Sequence, residues 1–292
     1  MHGWADLAPQ LFNGLVLGAF YAIVALGLSL IMNLTGTINM AHASFMTLAG
    51  YLAYSMVLRG LPYWLALITA PLIVVIVGVG VERALVRPLY KREPFYSLLM
   101  TFGLSLIAET VYRLIWGSNG VPFSPPAALG GTVSLGFMNF PVFRIFIVAV
   151  LLVTIVALAV FLTRTRFGLR LRAAVQDTEM IAALGTNTQV LYAVNFGLGI
   201  LLAGIAGVLA GGMLGLSPTS QNALLMPAFV TVVIGGMGSL FGSIVGGLLI
   251  GMAISLTTLF IPAASEVSMY ILMALVLLIR PRGLFGEEGI FG

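Results

Sequence analysis

From Leu11 onward the chain runs in long apolar stretches, interrupted at near-regular intervals by short clusters of polar residues, glycine and proline. The apolar runs lie near 10–32, 37–58, 62–82, 96–116, 142–162, 189–211, 224–237, 240–260 and 266–280. Most approach the length that, at about 1.5 Å of rise per residue, crosses a hydrocarbon core about 30 Å thick. A β-barrel would instead alternate apolar and polar residues at every second position, and these runs do not. The pattern therefore predicts an all-α integral membrane protein, a polytopic helical bundle occupying 1–292 as one domain. Segments 224–237 and 266–280 are short for a full crossing, and Pro227 and Pro262 interrupt that region. Eight spans and nine both fit.

Two places inside the apolar pattern are polar. The stretch "NLTGTINMAHASF" sets Asn33, Thr35, Thr37, Asn39, His42 and Ser44 beside Gly36, and the region around Pro227 is short and broken. Irregular backbone at membrane depth is tolerated only where it faces protein or water, so both places read as discontinuous helices lining a pathway. The halves on either side of the fifth span would enter the bilayer from opposite faces, which permits an inverted repeat, although no residue-level identity between them stands out.

Charge orients the bundle. Only 8% of residues are charged, 60% are hydrophobic and the mean hydropathy is +1.13, far from the roughly one quarter charged that is usual in globular chains. Arg83, Arg87, Lys91 and Arg92 share one loop, Arg164, Arg166, Arg170 and Arg172 another, and Arg280 and Arg282 stand near the C-terminus. The positive-inside rule places all three groups in the cytoplasm and the N-terminus outside, in a multi-pass membrane protein. The loops 117–141 and 212–223 carry no charge, and the first has the composition of an irregular external segment. The formal charge of +4 is thus accounted for by orientation, without a nucleic-acid partner. Arg59, Arg113 and Arg144 fall on the outer side, each near a helix end from which it can snorkel. The first residues, "MHGWADLAPQLFNGLVLG", have no Lys or Arg ahead of the apolar run and do not read as a cleaved signal peptide.

Glycine and the sparse chemistry come next. Among 35 glycines, Gly207, Gly211, Gly215 and Gly238, Gly242, Gly246, with Gly247 and Gly251 behind them, keep the small-xxx-small spacing that lets helices approach closely. Internal packing is the plainer reading; a subunit or sliding surface is the other. The chain has no cysteine, so it has neither disulfides nor thiolate metal sites, and no metal or cofactor site is expected. It has no G-x-x-x-x-G-K-[ST] phosphate loop and no H-E-x-x-H, and His2 and His42 are its only histidines. An enzyme is hard to support. Glu109 and Arg113, spaced i, i+4, are the ionisable candidates at membrane depth: either a structural pair or part of a path. His42 is likewise either a hydrogen-bonded packing residue or a solute contact.

One stretch stands apart. "RFGLRLRAAVQDTEMIAALG", Arg166 to Gly185, is the longest polar segment, and over about 169–185 it predicts one amphipathic helix. Arg172, Gln176, Glu179 and Ala183 fall on one stripe and Ala173, Met180 and Leu184 on another, with Gly185 as the stop. Spacing alone leaves open whether it lies on the membrane surface or docks on a partner.

This stretch resembles the cytoplasmic coupling loop of permeases in bacterial ATP-binding-cassette importers, specifically those for branched-chain amino acids. The matches are Arg172, Ala173, Gln176, Asp177, Glu179 and Gly185, while Met180 and Ile181 stand where such loops often carry alanines. The resemblance spans nearly the whole chain. "LFNGLVLGAFYAIVALGLSLIMNLTGTINMAHASFMTLAGYLAY" is similar to the opening of LivH-type permeases through Asn13, Gly14, Gly18, Tyr21, Ala22, Gly27, Gly36, Ile38, Asn39, Ala41, His42, Gly50 and Tyr51. Ala43 and Ser44 replace that pattern's glycine and acidic residue. "VIGGMGSLFGSIVGGLLIG" and "LLIRPRGLFG" resemble the family's glycine-rich and C-terminal blocks, in the same order.

The resemblance implies half of a translocation pore without enzyme activity of its own. A homologous LivM-like permease would pair with it, two LivG-like and LivF-like cytoplasmic ATPases would bind the ATP and magnesium, and a periplasmic solute-binding protein would deliver the solute. It implies coupling through Arg172, Gln176, Asp177, Glu179, Ala182 and Gly185, and candidate path residues Asn13, Tyr21, Asn39, His42, Ser44 and Glu109. Branched-chain or related amino acids are the expected cargo. Urea, amides and other small solutes are also carried in the family, and a secondary transporter or channel is the rival class.

Overall fold

A computed structural model of the chain describes residues 4–134 and 139–286; His2 and residues 135–138 of the uncharged loop lie outside the described residues. The helices are α1 (Trp4–Thr35), α2 (His42–Leu58), α3 (Tyr63–Val81), α4 (Pro94–Trp116), α5 (Val142–Arg164), α6 (Arg166–Gln176), α7 (Thr178–Ala183), α8 (Thr188–Leu214), α9 (Ser220–Gly235), α10 (Leu240–Phe260) and α11 (Ser265–Ile279). Among the described residues, seven helical segments are long and apolar enough to cross a bilayer, α9 is a shorter apolar helix, and the 17-residue α2 covers the remaining run. All nine apolar runs of the sequence are therefore helices.

The differences from the sequence pattern are local. Residues 37–41 are not helical, so α2 starts at His42. The uncharged loop is not wholly irregular: it holds a two-stranded antiparallel hairpin, β1 (Thr132–Ser134) with β2 (Asn139–Pro141). The single amphipathic helix expected over about 169–185 is two helices. Asp177 adopts extended backbone and its carboxylate accepts a hydrogen bond from the Met180 N–H at 2.8 Å, so a second helix is capped where the first ends.

The bundle is built around two columns, α1 and α8, whose residues are mostly buried. Helices α3, α4, α5, α10 and α11 lie outside them and turn Ile68, Ile76, Leu114, Val153 and Leu278 outward, as lipid or another apolar protein surface requires. Both columns are joined to their neighbours by glycine. A Cβ at Gly207 of α8 would stand 1.9 Å from the Met46 carbonyl oxygen of α2, and one at Gly251 of α10 would stand 2.2 Å from the Gly18 nitrogen of α1. Such contacts are backbone against backbone and leave no room for any side chain. The internal-packing reading of the glycine ladders holds at Gly207, Gly211, Gly242, Gly246, Gly247 and Gly251. Gly215 and Gly238 instead have positive φ and make turns.

At the end of α3 the helix widens into a π turn (Glu82–Val86) followed by a 3-10 turn (Arg87–Leu89). This places the fully buried Glu82 against Arg87, with nitrogen to oxygen distances of 3.0 and 2.7 Å, and the Tyr90 hydroxyl donates to Glu82 at 3.1 Å. Burial and the adjacent carboxylate push the Tyr90 phenol pKa up, so it stays a donor. Arg87 also reaches the Gln189 carbonyl of α8 at 3.3 Å. The cluster ties α3 to the start of the second column.

Two outcomes follow. Gly207→Ala should destabilise the purified protein by about 1–3 kcal/mol, as overpacking does, whereas Gly80→Ala, at a helical site with open space, should be neutral or stabilising by up to about 1 kcal/mol; thermal unfolding in detergent reads both. Arg87→Ala should cost about 3–5 kcal/mol because it strands a buried carboxylate, a loss that Glu82→Gln combined with Arg87→Leu should largely recover in the same assay.

Candidate functional site

The first break lies between α1 and α2. Gly36 has φ +63°, the left-handed turn that lets the chain double back. The chain then re-enters the bundle. His42 packs on Gly27, roughly 12 Å back from the end of α1 at 1.5 Å per residue. The irregular residues between them satisfy one another. The Thr35 and Thr37 hydroxyls pair at 2.7 Å, the Ala41 N–H donates to the Asn39 Oδ1 at 3.1 Å, and the Met40 N–H donates to Thr101 of α4 at 3.0 Å. One donor stays unused: the Asn39 Nδ2 is buried without a hydrogen-bond partner.

The second break lies between α8 and α9. Leu216 turns back onto Gly50 and Gly211, and its backbone pairs with Val121 of the uncharged loop. Helix α9 accordingly starts inside the bundle. Its Gln221, 2% exposed, donates to the Ser105 carbonyl at 2.9 Å, midway along α4, and accepts from the Ser44 hydroxyl of α2 at 2.5 Å. The first turns of two helices that begin at membrane depth thus meet at Ser44 and Gln221. Both N-terminal ends carry the partial positive charge of their helix dipoles. The Tyr112 hydroxyl donates to the Ser44 carbonyl at 2.8 Å and holds α4 against this meeting point.

A charged pair extends it. Arg113 donates to the Glu109 Oε1 at 2.5 Å, and the Glu109 Oε2 accepts from Asn222 at 3.2 Å and from Gln221 at 3.3 Å. On the other face of α9's first turn, Ser220, Ala223 and Leu224 line a cavity of about 150 Å³, closed by Met46 and Thr47 of α2 and by Gly207, Ala210 and Gly211 of α8. Among the described residues, no three His, Asp or Glu side chains are grouped to hold a metal ion.

Of the path candidates, Asn39, His42, Ser44 and Glu109 gather around the two breaks. Asn13 does not: it accepts from Arg144 of α5 near the far end of α1. Tyr21 borders a second, tighter space that shares Ala210, Leu214 and Leu224 with the cavity. Gln221 and Asn222 are absent from the sequence-level candidates, although two adjacent amides inside an apolar segment are a visible signal. The coupling candidates Arg172, Gln176, Asp177, Glu179, Ala182 and Gly185 are all exposed. Beneath them Leu171 and Ala174 are buried, and α6 packs on α5, α1 and α8. Gly185 has φ +81° and ends α7 directly ahead of α8, whose first turn Asn187 caps.

Comparison with known proteins adds the following. The high-affinity branched-chain amino acid transport system permease protein LivH of Escherichia coli (strain K12) is 30% identical, over 95% of each chain. BraD, a permease protein of the corresponding system in Pseudomonas aeruginosa, is 31% identical over 95% of each chain. LivM of E. coli is 27% identical over 90% of this chain and 67% of its own. A solved structure, PsaBC from Streptococcus pneumoniae in complex with Fab, matches with a TM-score of 0.52 at 12% identity, over 91% of this chain and 89% of that one, a likeness of fold alone. The family model described as "Branched-chain amino acid transport system / permease component" matches residues 10–280. With seven helices among its described residues long and apolar enough to cross a bilayer, the chain belongs to the family of branched-chain amino acid transport permeases.

Proposed function

We propose that the chain is one of two permease subunits of an ATP-binding-cassette importer, carrying branched-chain or related amino acids that a periplasmic binding protein delivers. The hydrolysis of ATP belongs to two cytoplasmic partner subunits in this reading, and the basic end of the bundle faces the cytoplasm with the N-terminus outside. One observation carries it above the others: the exposed polar element α6–α7 runs straight into α8, the column that walls the cavity and leads into α9.

The connection suggests how the machine works. Gly168 lies so close to the backbone of Phe161 and Leu162 that α5 and α6 move together. A partner that shifts α6–α7 therefore shifts α8. Because Gly207 is seated against the backbone of Met46, motion of α8 is passed to the first turns of α2 and α9 by contact rather than by charge. Two arrangements of these turns, open to one side of the membrane or the other, form a bistable element that nucleotide and the loaded binding protein bias. The cavity is small and apolar in its walls, suited to a short aliphatic side chain, and leaves most selectivity to the binding protein.

Uptake by the assembled importer in proteoliposomes tests the coupling surface. Glu179→Ala or Gly185→Val should lower uptake by about tenfold or more while ATP hydrolysis continues, since a docking contact or the left-handed stop is lost without disturbing the core; undiminished uptake by both variants would place docking elsewhere. Stimulation of ATP hydrolysis by the binding protein loaded in turn with leucine, an aromatic amino acid or urea should be strongest with the aliphatic amino acid. Stimulation by urea alone would overturn the cargo assignment.

A further inference from the structure

The Glu109–Arg113 pair is placed oddly for a membrane protein. It lies past the midpoint of α4, yet the Arg113 side chain is 46% exposed and the Glu109 side chain 15%. Arg113 stands in the last turn of α4, from which its guanidinium can reach the interface, whereas Glu109 lies a turn deeper, where a carboxylate is costly against lipid, so its side of α4 meets water or protein. The two members are held differently. Glu109 is fixed on one oxygen by Arg113 and on the other by Gln221 and Asn222 of α9. Arg113 is held by Glu109 alone among the described residues, and its planar fork of five N–H donors is largely unspent.

We propose that Arg113, Glu109 and Asn222 form a recognition site for the paired charges of a free α-amino acid, with the carboxylate on Arg113 and the ammonium on Glu109. The inference rests on the amino-acid reading of the cargo and deepens it. Charge balance favours a zwitterion over other small solutes. Arg113 and Glu109 together are neutral, and a zwitterion exchanges their internal contact for two intermolecular ones without bringing net charge into the membrane. A lone carboxylate would meet Arg113 but be repelled by Glu109, and a lone amine the reverse. Urea or an amide has no charge to set against either. The Asn39 Nδ2 near the start of α2 is a further buried donor without a partner. Arg113, held at one point, is free to turn toward a carboxylate and bind it through two parallel hydrogen bonds. Gln221 joins Glu109 to Ser44, so occupation of the pair is felt at the first turn of α2. Glu109 and Arg113 would touch the solute; Gln221 is a positioning residue.

The test uses the complete importer in nanodiscs without its binding protein, probed with radiolabelled L-leucine, and leucine uptake by the same complex with its binding protein is measured in parallel. Wild-type complex should bind leucine, and excess unlabelled leucine should compete, whereas 4-methylpentanoate, 3-methylbutylamine, leucinamide and urea should not. Glu109→Gln with Arg113→Gln removes both charges together and leaves neither unpaired, so the unliganded complex should keep its melting temperature and its second permease. Its leucine affinity should fall roughly tenfold or more, the scale of a lost charge-assisted contact, and Arg113→Lys should recover part of it. Leucine transport with wild-type binding by the double variant, or with no binding to the permease at all, would sink the site and spare the amino-acid reading. Binding and uptake of urea in place of leucine would sink both. Loss of the second permease from the double variant would mark the pair as a subunit contact instead, and overturn the proposal.

Discussion

A lipid tail offers no hydrogen bond to a peptide group, and each unpaired N–H or C=O at membrane depth costs several kcal/mol. Two stretches of this chain, around residues 36–41 and 215–219, leave the helical conformation inside the bundle, and much of the architecture serves to make that tolerable. Side-chain oxygens of Thr35, Asn39 and Thr101 serve the first break; a backbone pairing between Val121 and Leu216 and the hydroxyl of Ser220 serve the second. Helices α4 and α8 then shield the two from lipid. Two helices begin at these breaks, and their first turns touch.

Bringing those turns together depends on glycine. Helix association in a membrane gains little from the hydrophobic effect, because lipid is as apolar as leucine, and rests on close van der Waals contact. The seats at Gly207 against Met46, Gly27 against His42 and Gly251 against Gly18 make α1, α2, α8 and α10 one packed unit. The same closeness transmits displacement. A backbone resting on a backbone has no rotamer in which to absorb a push, so a displacement of α8 is passed on to the helices seated against it.

Charge follows a complementary division. Most basic residues lie at and after the ends of α3, α5 and α11, and the buried Glu82–Arg87–Tyr90 cluster braces α3 against α8. At the breaks themselves the polar groups are mostly neutral: serine, threonine, asparagine, glutamine and histidine. Glu109 and Arg113 are the exception: the Arg113 side chain is half-exposed, while Glu109 is held against Gln221 and Asn222 of α9.

The residue pattern by itself determined that the chain is a membrane bundle, where its apolar helices run, that the segment around 36–41 is broken and that the α6–α7 element is exposed and polar. These are properties of single segments, set by helical rise, by the cost of charge in lipid and by the conformational freedom of glycine. The family blocks were legible for the same reason: each is contiguous. Tertiary structure decided what no segment contains. Ser44 and Gln221 stand 177 positions apart and meet only because two chain reversals aim at one depth. Asn13 and Tyr21 share α1 with the first break, yet they lie away from it, since a helix fixes spacing along its axis and leaves the choice of neighbours to packing. The split at Asp177 was likewise hidden: an aspartate in a helical periodicity is either one more polar residue or the cap of a new helix, and the local backbone alone distinguishes the two.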